Sequence, residues 1–164
     1  DDLGTFPLVA GQRDRFAVSL SLGLPGRAAE MTLLLGTGGT PALDTLQPVA
    51  PINTWKALQR RVDDVFVHQV VATFALDVID LIRARSNSHL PISPRAAIRL
   101  VKSAQAYALG AGRDHVRPDD VQAVAVAVLA HRIVDVTNDN LPLARTWIAD
   151  FLQQVPVPPL PTGR

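Results

Sequence analysis

Between residues 67 and 82 the apolar side chains Val67, Val71, Phe74, Val78, Leu81 and Ile82 recur at spacings of three and four, with Gln69, Thr73, Asp77 and Asp80 between them. Only an α-helix gathers such a set on one side of the chain, since a half-buried strand alternates at every second residue. The stripe predicts a helix with one face on a core, and such a helix needs partners.

The partners follow in order. Asn53 or Thr54 can cap an earlier helix carrying Trp55, Leu58 and Val62 on one side. Ser93 places a capping hydroxyl before Pro94, whose fixed φ suits the first helical position, and that helix runs to Leu109 before Gly110 and Gly112. Pro118-Asp119-Asp120 opens the next with carboxylates where the helix dipole favours anions, and His131-Arg132 closes it with cations. Its Ala/Val body is apolar nearly all round, which predicts a central place in the bundle. A last helix spans about Leu141 to Val155, with Trp147, Ile148, Phe151 and Leu152 inward, ahead of a loosely ordered proline-rich tail.

Upstream the pattern changes. Leu8 to Asp14 predicts a short helix, and Phe16 to Leu22 alternates apolar and small polar residues like a strand ending at Gly23. A lone strand leaves its backbone groups unpaired, so this one is expected to join a sheet built from residues before Asp1. With no initiating Met, a chain opening on Asp1 within a loop-like stretch is expected to be a segment of a longer protein. Pro25-Gly26-Arg27 then starts a helix to about Leu35, and Gly36 to Pro41 reads as a connector.

Composition excludes several functions. The chain is 48% apolar and 19% charged, a globular balance, and its net charge is +1, with fourteen arginines set against fourteen aspartates. Such a balance gives no basic field for a nucleic-acid backbone. No cysteine is present, which removes disulfides, thiolate metal sites and thiol nucleophiles and makes the cytoplasm the expected location. No apolar run is long enough to span a bilayer.

The residues that bear chemistry are few. Gly36-Thr37-Gly38-Gly39-Thr40 is glycine-rich, but a phosphate loop needs GxxxxGK followed by Ser or Thr, and neither Lys56 nor Lys102 has that context, so it reads as a linker. His68, His89, His115 and His131 show no ligand spacing. Arg95 is unusual because it stands in the first turn of its helix, where a cation opposes the dipole at a cost of about 0.3 to 1 kcal/mol. That placement suits a site to which an anion is brought, since free amides and a guanidinium fork converge on it. Arg99 and Lys102 extend it as a basic stripe at spacings of four and three. The plainer alternative is an exposed arginine paired with a nearby carboxylate. Arg15, between Asp14 and Phe16 at a turn, poses the same choice.

Several motifs in order resemble one family. Gly4-Thr5-Phe6-Pro7-Leu8, Gln12 and Asp14-Arg15-Phe16 resemble the stretch after the sensor 1 asparagine of MoxR-type AAA+ ATPases. Ser93-Pro94-Arg95-Ala96, Gly112-Arg113-Asp114 with Val116, Pro118-Asp119-Asp120-Val121 and Val128-Leu129-Ala130-His131-Arg132 resemble that family's lid in order and spacing. The similarity runs from Gly4 to Arg132, and Val155-Pro156 resembles the usual ending.

The resemblance implies a mainly α fold: a helical AAA+ lid bundle over residues 25–155, with a linker near 36–50, after a remnant of the α/β ATPase core (one helix and one strand) at 1–24, and with a proline-rich tail at 156–164. It implies that Arg95 is the sensor 2 arginine, with Ser93 and Arg99 beside the nucleotide, and that Arg15 is an arginine finger acting in trans on a neighbouring subunit's γ-phosphate. It further implies ATP and Mg²⁺ in the complete protein, a homo-oligomeric ring, a chaperone-like remodelling or metal-insertion role, and partners bearing von Willebrand factor A domains. The family's phosphate loop and acidic Mg²⁺ motif, Walker A and Walker B, have no counterpart in the sequence, so this chain alone is expected not to turn over ATP. The alternative is a helical protein-interaction module with no nucleotide role.

Overall fold

The structure, a computed structural model, describes residues 8–36, 46–85, 92–134 and 140–159. Among them lie seven helices: α1 (Ala10–Arg13), α2 (Arg27–Leu34), α3 (Ile52–Asp64), α4 (Gln69–Arg85), α5 (Pro94–Gly110), α6 (Pro118–Ile133) and α7 (Leu141–Leu152). The chain divides into two compact units, residues 1–19 with 60–164, and residues 20–59.

In the larger unit, α6 is the hub. It packs against α5 and α7 and touches α4 and α1. Val121, Ala125, Val128, Leu129 and Ala130 on α6 are all fully buried, as an apolar surface on every side requires. The stripe on α4 faces this core through Val71, Phe74, Val78 and Ile82; Ala75 and Ile79 are buried with them, while Val67 and Leu81 pack at the margin. On α7 the buried line is Ala144, Ile148 and Leu152, at successive steps of four. Trp147, expected inward, is instead 44% exposed because it lies to one side of that line, and Phe151 is half-buried.

The helix ends follow the sequence closely. Ser93 caps α5 by accepting from the Ala96 amide at 3.3 Å, with Pro94 next to it. At the other end Gly112 takes φ +74°, the Gly112 amide donates to Leu109 O and the Arg113 amide to Ala108 O at 2.9 Å each. These two bonds form a Schellman stop, which a residue with a Cβ adopts only under strain. The turn then pairs Phe66 with His115 as an isolated parallel bridge, and the buried Gln105 side chain donates to Val65 O at 2.6 Å.

The strand expected over Phe16–Leu22 is not formed among the described residues. The segment has no regular structure, bends at Ala17, and its polar groups find other partners. Ser19 donates its amide to Ala127 O on α6 at 2.8 Å, and the carbonyls of Phe16 and Ala17 accept from the Arg132 side chain. A side chain at the end of α6 thus satisfies what a sheet would have satisfied.

The smaller unit has no buried residue among those described. α3 begins at Ile52, one to two residues before the expected caps, with the Pro51 carbonyl accepting from Thr54 and Trp55. Trp55 and Leu58, on its apolar side, remain 56% and 42% exposed. The glycine-rich connector falls mostly outside the described residues.

Candidate functional site

One of the two arginines singled out in the sequence, Arg95, reaches the carboxylate of Asp14, the residue before the other. α1 ends at Arg13, and Asp14 follows as its C-cap. The Ser93 hydroxyl reaches both Asp14 carboxylate oxygens, 3.0 Å from Oδ1 and 2.9 Å from Oδ2, while its oxygen accepts from the Ala96 amide. A residue placed to cap α5 therefore also fastens the end of α1 to the first turn of α5. Arg95, in that turn, brings Nη1 to 3.8 Å from Asp14 Oδ2 and is 58% exposed at its side chain. This is the loose ion pair of the plainer alternative, and at that exposure solvent screens it heavily.

The firm partner of Asp14 is Arg132, whose side chain is only 2% exposed. Its Nε donates to Asp14 Oδ1 at 3.1 Å, and its Nη2 donates to the carbonyls of Asp14 at 3.2 Å and Phe16 at 2.6 Å. Its Nη1 reaches Ala17 O at 3.5 Å and also bonds Val128 O. Each guanidinium nitrogen thus has an oxygen partner. Burial works against the Arg132 charge and lowers its pKa on balance, with Asp14 opposing, yet an arginine stays protonated under such a shift. Next to it, His131 Nε2 lies 3.0 Å from Arg132 Nη1 and 3.3 Å from Phe16 O. Burial first, and then the adjacent Arg132 charge, hold the His131 imidazole below the ordinary histidine range, so it is neutral at pH 7.

Arg15 lies inside this cage but points out of it. Its residue is exposed, and its guanidinium makes no hydrogen bond or ion pair among the described residues. Arg99 is exposed on α5, and its charge is felt at Arg132. Lys102, the third member of the basic stripe, is tied instead to Asp63 at 2.5 Å. Among the described residues, the exposed cations of the two candidate motifs are therefore Arg15, Arg95 and Arg99. No group of three His, Cys, Asp or Glu side chains among the described residues is placed to hold a metal ion. What this surface offers an anion is positive charge and hydrogen-bond donors.

Two features escaped the reading of the sequence. Arg132 reads there as a cation closing a helix, and its hold on residues 118 positions away has no local signature. Asp120 reads as a first-turn dipole match, yet it is 2% exposed and accepts from Arg113 through both oxygens, at 2.5 and 2.6 Å, and from the Arg117 amide at 2.8 Å.

Residues 81–146 match the family described as AAA lid domain. The chain is 36% identical over 131 residues to the uncharacterized protein YeaC of Bacillus subtilis (strain 168), covering 80% of this chain and 41% of that protein. It is 31% identical over 147 residues to chaperone MoxR1 of Mycobacterium tuberculosis, covering 84% of this chain and 38% of that protein. A crystal structure from Cytophaga hutchinsonii, assigned as an ATPase, superposes with a TM-score of 0.78 at 23% identity over 97% of this chain and 52% of its own, a likeness of fold. The fold and the matched segment define a AAA+ lid domain. Within that class, the chain is the lid-bearing portion of a MoxR-like AAA+ ATPase, and it spans about two fifths of the length of the two curated relatives.

Proposed function

We propose that in the complete protein this chain supplies two arginines to two different nucleotides. Arg95, with Ser93 and Arg99 beside it, acts as sensor 2 on the phosphates of ATP held by its own subunit. Arg15 acts in trans as the arginine finger, neutralising charge that develops on the γ-phosphate of a neighbour. The reading includes residues 1–24 as the end of the α/β core, a ring of identical subunits, ATP with Mg²⁺ bound by residues outside this chain, a cytoplasmic chaperone-like remodelling role, and partners with von Willebrand factor A domains.

The observation that carries it is the shared carboxylate. Asp14 is bonded by Ser93 and Arg132 while Arg95 stays exposed within 3.8 Å and Arg15 projects free from the next residue. Two exposed guanidiniums beside one partly buried network, one unpaired among the described residues and the other held only by a loose, screened ion pair, are open to an anion.

The test is substitution in the complete protein. Arg15→Ala should lower kcat about 10³-fold, the low end of what an arginine finger contributes, with ATP still bound. Arg95→Ala should weaken ATP binding as well. If both variants hydrolyse ATP at the parent rate, the assigned roles are wrong and the nucleotide-independent interaction module takes their place.

A further inference from the structure

We infer that Arg132 is a positioning residue for Arg15, and that through Asp14 it makes the finger segment and the first turn of α5 move as one body. The inference rests on the proposed roles of Arg15 and Arg95 and adds the link between them. Its basis is the way one guanidinium is divided. Arg132 Nη2 donates to the carbonyls of Asp14 and Phe16, at 3.2 and 2.6 Å, the residues immediately before and after Arg15. Nε of the same group holds the Asp14 carboxylate at 3.1 Å, and that carboxylate accepts from Ser93, whose oxygen caps α5 two residues before Arg95. The path from the backbone around Arg15 to the helix bearing Arg95 thus runs through one buried cation, one carboxylate and one hydroxyl. No exposed contact intervenes.

The consequence is coupling. Among the described residues, a phosphate that draws Arg95 away from Asp14 removes one of the two cations paired with that carboxylate, leaving Arg132 as its charged partner. The strut then carries any displacement of the α5 start to Arg15, so that nucleotide at one subunit alters the finger presented to the next. Lysine cannot take the place of Arg132. Its single ammonium can pair with Asp14 but cannot also straddle two carbonyls, because it lacks the planar fork.

The experiment uses the complete ATPase and reads kcat, KM for ATP and thermal unfolding. Arg132→Lys should lower kcat about tenfold to a hundredfold, the scale of a misplaced catalytic group, while KM stays within about twofold. In an Arg15→Ala background the same substitution should change kcat by less than about twofold, since a group acting through Arg15 has nothing left to position. If Arg132→Lys does not fold, Asp14→Asn, which keeps the shape and drops the charge, should show the same kcat loss and the same dependence on Arg15. Parent-level kcat in the folded variants, or a loss that persists undiminished without Arg15, overturns the strut. An Arg15→Ala variant that lowers kcat beside inert Arg132 and Asp14 variants overturns only the strut, whereas a silent Arg15→Ala overturns the finger reading and the strut with it.

Discussion

The two ends of α6 each carry a buried Arg–Asp pair, and the pairs do different work. At the N-terminal end Arg113 and Asp120 meet fork to fork, with both nitrogens on both oxygens, and the Arg117 amide completes the carboxylate. The partners are seven residues apart, so the pair fixes one turn. At the C-terminal end Arg132 spends only Nε on the Asp14 carboxylate and spreads the rest of its fork over backbone carbonyls, those of Asp14, Phe16 and Ala17 more than a hundred residues away and that of Val128 one turn back. The bidentate pair and the amide beside it keep all these bonds within residues 113–120. A divided one ties a segment down and leaves its carboxylate shared with Ser93 and Arg95.

The largest expected effect separates the two ends. Asp120→Ala strands Arg113, whose side chain is 20% exposed, and should cost about 3 kcal/mol in denaturant unfolding, the scale of a broken buried pair. Activity per folded molecule of the complete protein should be unaffected. A loss of activity without a loss of stability would show that the N-terminal pair is not merely structural.

Acid should open the ends in sequence. His131 is held below the ordinary histidine range by burial and then by Arg132, so the unfolded chain takes up the proton first, and stability falls as pH drops below about 6.5. Burial by itself raises the Asp120 carboxyl, but Arg113 and the Arg117 amide overcome it and the net direction is down. The contribution of Asp120 is therefore present above the ordinary carboxylate range and is lost only as pH falls through and below about 4. Amide protection around residues 14–19, relative to the intrinsic exchange rate at each pH, should fall as pH drops below about 6.5 while that around 113–120 holds until below about 4, and His131→Gln should remove the first step. Simultaneous opening would mean that the ends are not independent. The smallest effect is expected at Lys102–Asp63, whose side chains are 45% and 66% exposed: Lys102→Ala should change stability by no more than about 0.5 kcal/mol in the same assay.

How far the sequence carried these distinctions depended on range. The helices were legible because each is written locally, in the stripe from Val67 to Ile82, the Ser93-Pro94 start and the Gly112 stop. Arg15 and Arg95 were legible as candidates because of an odd position and flanking motifs. Asp14 and Arg132 sat inside those motifs, yet their contact closes a loop of more than a hundred residues, and nothing in spacing or periodicity encodes such a contact. The error at Trp147 has a similar origin. A helix of twelve residues offers more apolar positions than its buried line needs, and only the packing against α6 decides which side is used.

The backbone around Arg15 is fastened at Asp14, Phe16, Ala17 and Ser19, all within one compact unit. Fixing a residue's backbone forfeits conformational entropy of about 1–2 kcal/mol. For this segment that loss falls on the folding of the unit itself. On the proposed role of Arg15, an anion meeting it would have only side-chain rotamers left to order, and loosening the segment should weaken binding even with every contacting group still present.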